Sequence, residues 1–382
     1  MSSVEEFRTG VRSWLRAHLT GEFAALKGRG GPGREHEAFA ERLAWERHMA
    51  AHGWTCLGWP ERYGGRGAST EEQIAFHEEY ALADAPARVG HIGEQLLGPT
   101  LIAHGTEEQK ARFLPAIREV RELWCQGYSE PDAGSDLAGV RTRARLHEGE
   151  WVVDGQKIWT SLAHESQWCF VLARTTPGSR RHAGLSYLLV PLDRPGIEIR
   201  PIVQLTGTSE FNEVFFDGAR TDAAHVVGAP GDGWAVAMAT LGYERGVSTL
   251  GQQVGFRREL ENLAALAARN GALADPLVRD RLVRAWIGLE TMRATALSPG
   301  TAPSLAKLYW ARWHRDLGEL AMDVRGAASL LAAGAHGDPY DLDDWQRLFL
   351  FSRADTIYAG SDEIQRTIVA ERILGLPKEA RT

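Results

Sequence analysis

The chain has 382 residues, 44% hydrophobic and 24% charged, the balance of a soluble globular protein with length for two or three domains at roughly 150 residues each. Lys plus Arg is 43 against 50 for Asp plus Glu, a formal charge of −7, which argues against a nucleic-acid binder with its basic face. Three cysteines (Cys56, Cys125, Cys169) without a C-x-x-C pair argue against a zinc ribbon or a disulfide framework and point to a reducing compartment, the cytoplasm.

The apolar residues Val4, Phe7, Val11, Trp14 and Leu15 recur at helical spacing. Met1 to Leu19 carries Glu5 and Glu6 and no apolar h-region, so it is not expected to be a signal peptide. After a Gly-rich break (Gly28 to Gly33) a second helical stretch runs through Leu43 and Met49. Gly53 to Gly67 reads as an ordered loop, and Glu71 to Leu82 as a helix. Thr106 with Gln109 three residues on fits a capping box, and the helix that it starts is expected to end before Pro115. From about Trp124 the period changes to two. Arg141–Leu146 alternates, Trp151–Asp154 reads as a strand entering an Asp-Gly turn, and Trp168–Ala173 and Leu185–Val190 are apolar runs of strand length. Ile197–Arg200 alternates, and Val214–Phe216 precedes a second Asp-Gly pair. After Gly233 the helical period returns over 234–250, 252–269, 276–296, 302–331, 342–353 and Ser361–Leu374. Segregated helices and strands indicate an α+β fold. No G-x-G-x-x-G follows a strand, which disfavours a Rossmann domain. No apolar run reaches the ~18 residues of a membrane span. The 13 histidines show no H-E-x-x-H or related spacing, so no metal is expected.

Five segments, in order along the chain, resemble the acyl-CoA dehydrogenase family. Tyr128-Ser129-Glu130-Pro131-Asp132-Ala133-Gly134-Ser135-Asp136 resembles its Thr/Ser-Glu-Pro-x-x-Gly-Ser-Asp signature. Gly53 through Gly65, with Trp59-Pro60-Glu61-Arg62-Tyr63-Gly64, is similar to its first-domain loop, and Gly105 to Lys110 with Leu114-Pro115 to its Gly-Thr-Glu-Glu-Gln-Lys stretch. Gly155-Gln156-Lys157-Ile158-Trp159-Thr160-Ser161 resembles its flavin-facing strand. Tyr358-Ala359-Gly360-Ser361 with Ile364-Gln365-Arg366 resembles its C-terminal signature. The resemblance implies an N-terminal helical domain (1–122), a central β domain (123–230) and a C-terminal four-helix bundle (231–382).

The activity it implies is FAD-dependent α,β-dehydrogenation of an acyl-CoA, as in fatty-acid β-oxidation, with electrons leaving through an electron-transfer flavoprotein. A carboxylate must take an α-proton that is too weakly acidic for a carboxylate in water. The site must therefore be dry and must polarise the thioester carbonyl. Many relatives carry that base where this chain has Ala359. In the isovaleryl- and long-chain-type branch it sits on a C-terminal-domain helix, which here is Gly242-Tyr243-Glu244-Arg245-Gly246 and implies Glu244 as the base. The same resemblance places Tyr128, Ser129, Gly134, Ser135, Trp159, Ser161, Ser361 and Glu363 at FAD, with Arg269 as the substitute for an inter-subunit arginine. It places Ser135, Tyr243, Arg245, Ala359 and Gly360 at the substrate. Without the resemblance, Glu244 reads as a solvated helix glutamate and Ser129 and Ser161 as ordinary turn or strand-end hydroxyls.

Two family motifs are altered. Arg269-Asn270-Gly271-Ala272-Leu273 lacks Phe-Gly, and Asp323-Val324-Arg325-Gly326-Ala327 replaces Gln-x-x-Gly-Gly. Both belong to the inter-subunit FAD site. The second, with Ala-Gly-Ser, resembles actinobacterial members acting on bulky acyl groups, including sterol side chains. A homotetramer or dimer is expected, with a hetero-oligomer containing a paralogue as the alternative. A flavin oxidase, an acyl-carrier-protein dehydrogenase and a non-catalytic subunit on the same fold are the competing readings.

Overall fold

The computed structural model describes residues 3–243, 248–296, 298, 302–331 and 341–378. The chain divides into two compact units. One comprises Met1–Gln73, Asp84–Gln204 and Thr208–Glu244; the other comprises Ile74–Ala83, Leu205–Gly207 and Arg245–Thr382. The fold is α+β.

The first unit begins with helices α1 (Ser3–His18), α2 (Phe39–Ala51) and α3 (Thr70–Leu82), the last of which continues into the second unit. Helices α4 (Gly98–His104) and α5 (Glu107–Arg118) follow. The Thr106 capping box is formed: Gln109 N donates to Thr106 Oγ1 at 3.2 Å, and Thr106 N to Gln109 Oε1 at 3.1 Å. The Gln109 amide also donates to Ala224 and Val226 carbonyls, both at 2.7 Å. Contrary to the expectation from sequence, α5 does not stop before Pro115 but carries it inside the helix. Proline forgoes one helical hydrogen bond. The last turn persists because Leu114, Ala116 and Ile117 bury the same apolar face as Phe113.

The eight-stranded sheet has the order β6-β7-β3-β2-β4-β5-β8, with β1 paired to β4. Its strands are β1 (Trp124–Gly127), β2 (Arg143–His147), β3 (Glu150–Ser161), β4 (Trp168–Arg174), β5 (Leu185–Pro191), β6 (Ile197–Ile202), β7 (Phe211–Asp222) and β8 (Val226–Val227). The unbroken apolar runs of β4 and β5 are buried on both sides. Phe170, Leu172, Tyr187 and Leu189 pack with α4, α5 and α6 (Gly233–Tyr243). Cys169, Val171, Ala173, Leu188 and Val190 pack with Val153, Val214 and Phe216.

The two Asp-Gly pairs do not turn the chain, which corrects the turn read at Asp154-Gly155. Strands β3 and β7 both run through them. Between Val153↔Ala219 and Gly155↔Phe216 the register shifts, so Asp217 and Gly218 oppose Asp154 alone, a β-bulge. The Asp154 carboxylate accepts the Gly218 N–H at 2.9 Å. Gly218 has φ +64°, and a Cβ on Gly155 would lie 2.5 Å from the Thr142 hydroxyl. Turn-forming residues here bend a long strand pair.

In the second unit, α7 (Ser248–Arg269), α8 (Pro276–Ala296), α9 (Pro303–Arg325) and α10 (Asp344–Asp355) form the helical bundle, followed by α11 (Asp362–Ile368). Their core includes Phe256, Leu260, Leu263, Leu289, Trp313, Leu317 and Leu320. A buried ionic chain crosses it. His314 Nδ1 meets Asp355 Oδ2 at 2.6 Å, and His314 Nε2 meets Glu259 Oε2 at 3.1 Å. Burial alone would push the imidazole down. Hydrogen bonds to Asp355 and Glu259, and their charges, outweigh burial and raise it from 6.5 to about 10.

Folding therefore favours protonated His314, and its contribution to stability is complete below about pH 6.5 and is lost as the pH rises toward about 10. Urea unfolding of the wild type is expected to show falling stability across that window, and His314→Gln a flatter profile. Parallel profiles would remove this role from His314.

Candidate functional site

The segment Tyr128–Asp136 is anchored from beneath by a charged residue inside the sheet. Lys157 on β3 is 0% exposed. Its ammonium donates to the Tyr128 carbonyl at 3.0 Å and to Glu130 Oε1 at 2.8 Å. Glu130 also accepts the backbone N–H of Arg141 at 2.6 Å and of Thr142 at 2.9 Å. Burial pushes the Glu130 carboxyl up, but the Lys157 charge and the hydrogen bonds from Lys157, Thr142 and Arg141 outweigh it and hold it below its ordinary value. Burial draws the Lys157 ammonium below its ordinary value, opposed by the Glu130 charge. The ion pair joins three chain segments, and all of its bonds are internal.

Above that anchor, Glu130 and Ala133 exchange backbone hydrogen bonds at 3.1 and 3.0 Å. Gly134 and Ser135 project into solvent beyond them. Ile158 N donates to the Ser129 carbonyl at 2.9 Å, stitching this loop to β3. There the register against β7 shifts again, between Lys157 and Thr160. Trp159 takes φ +60° and is 56% exposed, with the Phe211 ring edge-on at 6.2 Å. A left-handed non-glycine residue costs about 1–3 kcal/mol and persists where its surroundings impose it, often at functional sites. Asn212 holds the strand beyond it, donating to the Thr160 carbonyl at 3.0 Å.

This face fits a flavin. Among the described residues, the hydroxyls of Ser129, Ser135 and Ser161 and the backbone N–H groups of Gly134 and Ser135 make no hydrogen bond to protein. A Cβ on Gly134 would meet nothing within 4 Å. Free donors beside an exposed indole match a planar ring with an acceptor-rich edge and a pyrophosphate. The Ile158–Ser129 bond brings Tyr128 and Ser129 beside Trp159, and Gly134, Ser135 and Ser161 belong to the same unit. The Tyr128 ring is buried against Phe170 and Tyr187.

In the second unit, the ionic chain of the bundle extends to the C-terminal signature. The Tyr358 hydroxyl donates to Asp355, and the Lys307 ammonium to the Asp355 carbonyl. The chain then reverses through Ala359 (φ +52°) and Gly360 (φ +84°). Buried Gln365 donates to both carbonyls of that turn, at 3.1 and 3.2 Å. Ser361 caps α11, its hydroxyl accepting Ile364 N at 3.4 Å. Among the described residues the N–H groups of Ala359 and Gly360 have no acceptor.

Glu363 is 77% exposed, with Arg366 at 3.9 Å. Arg269 is exposed at the end of α7. Beside it, Asn270 donates to the Val324 carbonyl at 2.8 Å, and Arg325 pairs with Asp343 at 2.6 Å, so the altered motif residues are absorbed within the second unit. Tyr243 ends α6, partly exposed. Glu244 and Arg245 lie outside the described residues. The part played by Glu130 and Lys157 was missed in the sequence, although both stand in quoted motifs; a charged residue inside an otherwise strand-like segment was the signal. Nothing local pointed to His314 and Asp355.

Lys157→Met leaves Glu130 as a lone buried charge. A loss of about 3–5 kcal/mol is expected in urea unfolding, and the double variant Lys157→Met/Glu130→Gln is expected to recover part of it. Full stability in the single variant would show that the pair is not the anchor.

The sequence matches the N-terminal domain family of acyl-CoA dehydrogenases over residues 2–120, the middle domain over 125–219 and the C-terminal domain over 231–374. It is 66% identical over 389 residues to acyl-CoA dehydrogenase IpdE1 of Mycobacterium tuberculosis and 63% identical over 397 residues to that of Mycolicibacterium smegmatis, covering 100% of both chains in each case. Among solved structures it is similar to the Tcur3481-Tcur3483 steroid ACAD, with TM-score 0.83, 29% identity and 99% of both chains covered. It is also similar to the ChsE4-ChsE5 complex from Mycobacterium tuberculosis, with TM-score 0.81, 28% identity and 100% and 99% of the two chains covered.

Proposed function

The chain belongs to the acyl-CoA dehydrogenase family of oxidoreductases, and from that premise we propose that it dehydrogenates the Cα–Cβ bond of a bulky, steroid-derived acyl-CoA in the cytoplasm, using FAD. The observation that carries the reading is the flavin-fitting face around Trp159: an exposed indole in a left-handed bulge, flanked by free serine hydroxyls and loop amides.

Ser129, Trp159 and Ser161, with the backbone of Tyr128, would hold the flavin ring, and Gly134 and Ser135 its pyrophosphate, with Ser361, Glu363 and Arg269 as further FAD contacts. Bound FAD supplies the acceptor for the β-hydride, and its electrons pass on to an electron-transfer flavoprotein. Glu244 takes the α-proton on its carboxylate. The Ala359 N–H, with no acceptor among the described residues, donates to the thioester carbonyl oxygen, where charge develops as the Cα–H bond breaks. Alanine lacks the carboxylate that many relatives carry at this position and leaves its volume free beside the substrate. Ser135, Tyr243, Arg245 and Gly360 line the acyl-CoA.

Bulky substrates are supported by the small side chain at Ala359 and by the neighbour described as a steroid ACAD. That substrate class replaces the fatty-acid β-oxidation implied by the family resemblance. A hetero-oligomer with a paralogue is supported by the solvent-exposed Arg269, by the two-component neighbours, and by the exposed apolar side chains Leu277, Val283, Trp286 and Ile287 on α8.

The test is anaerobic flavin absorbance during addition of straight-chain, branched and steroid-derived CoA thioesters. The steroid thioester is expected to bleach the wild type, and Glu244→Gln to slow bleaching roughly 10²–10⁴-fold. Equal bleaching of both proteins would remove Glu244 as the base. Bleaching by straight-chain thioesters alone would overturn the substrate class. A colourless chain that gains FAD on co-expression with a paralogue would support the hetero-oligomer over the homo-oligomer.

A further inference from the structure

No motif spacing in the sequence predicts a metal, yet the first unit gathers three histidines far from the flavin-fitting loop in sequence. His18 lies at the C-terminal end of α1. His48 lies in the last turn of α2, and His52 caps that helix one turn later. A helical i, i+4 pair presents both rings on one side. The third ring comes from the neighbouring helix: His18 Nδ1 lies 2.8 Å from His48 Nε2. One ring nitrogen from each residue falls within 4.8 Å of the others. His52 Nδ1 is engaged with the His48 carbonyl at 2.8 Å, which leaves its Nε2 as the ligand atom.

The rings are fixed by aromatic packing. Trp14 stacks on His18 at 4.6 Å and lies 5.9 and 5.7 Å from His48 and His52. Trp45 also stacks on His48 at 5.9 Å, next to Trp14, whose ring lies 5.4 Å from it. Among the described residues no carboxylate hydrogen-bonds any of the three rings, so ion pairing does not explain the cluster. Burial first, and the neighbouring imidazoles second, hold His18 and His48 below their ordinary value. Glu22 lies near enough to act on the charge of His48 and supplies the nearby negative charge.

We propose that His18, His48 and His52 form a three-histidine site for a divalent first-row transition metal, with one coordination position open to water. All-imidazole ligation suits Zn²⁺, Cu²⁺ and Ni²⁺. Two nitrogens at about 2.1 Å from a tetrahedral Zn²⁺ stand roughly 3.4 Å apart, so His18 and His48 need separate by well under an ångström. The shared proton of their hydrogen bond moves to a ring nitrogen facing away, and no charge is created. The ion would clamp the end of α1 to the end of α2.

The experiment uses the full-length, FAD-containing protein, stripped with a chelator and titrated calorimetrically with Zn²⁺. One saturable equivalent is expected, with a rise in Tm on binding. His52→Ala removes an exposed side chain and is expected to keep the fold and the flavin content while weakening Zn²⁺ binding at least tenfold. His48→Ala/His52→Ala is expected to abolish it. His147→Ala, at an exposed histidine on β2, is expected to change nothing. No saturable equivalent in the wild type, unchanged affinity in His52→Ala, or an equal loss in His147→Ala would each overturn the site.

Discussion

Lys157 and Glu130 meet inside the β domain, where both are buried, and much of the candidate site depends on that meeting. The ammonium holds the Tyr128 carbonyl as well as the carboxylate, and the carboxylate holds two backbone N–H groups of the segment leading to β2. Two charges removed from water cost several kcal/mol each and are tolerated only when nearly every lone pair and proton is used. That demand makes the loop single-valued. With the carbonyl of residue 128 and the carboxylate of residue 130 both claimed from below, Ser129, Gly134 and Ser135 are left facing outward with their donors unspent.

The same division between fixed acceptors and free donors recurs in the second unit. Gln365 binds the carbonyls of Ala359 and Gly360, and the N–H groups of that turn stay available. Trp159 and Ala359 are both non-glycine residues at positive φ. Each sits in a stretch that buried polar side chains over-determine: Lys157 and Asn212 on one side, Gln365 and the Asp355–Tyr358 contact on the other. The backbone strain is sustained by hydrogen bonds made out of sight of any ligand. Preorganised donors of this kind lose little to reorganisation when charge develops on a bound carbonyl or phosphate.

Local chemistry made much of the fold legible. The capping box at Thr106 is self-contained within four residues and forms as read. The double-sided apolar runs of β4 and β5 announce their burial. The failures are equally specific. A proline costs a helical bond and so signals a stop at Pro115, but the burial of Leu114 and Ile117 outweighs that cost. Asp154-Gly155 has turn chemistry, and whether it turns a chain or bulges a strand depends on whether a partner strand is already paired on both sides of it. Here β7 is.

The sequence by itself determined the order of helix, strand and helix and the family, because periodicity and collinear motifs are properties of neighbouring residues. The tertiary structure alone decided which charges are buried together. Lys157 with Glu130 spans 27 residues, and His314 with Asp355 spans 41. No local pattern encodes such pairings. They exist because closing the sheet and the bundle removes water from each group and leaves the other as its partner.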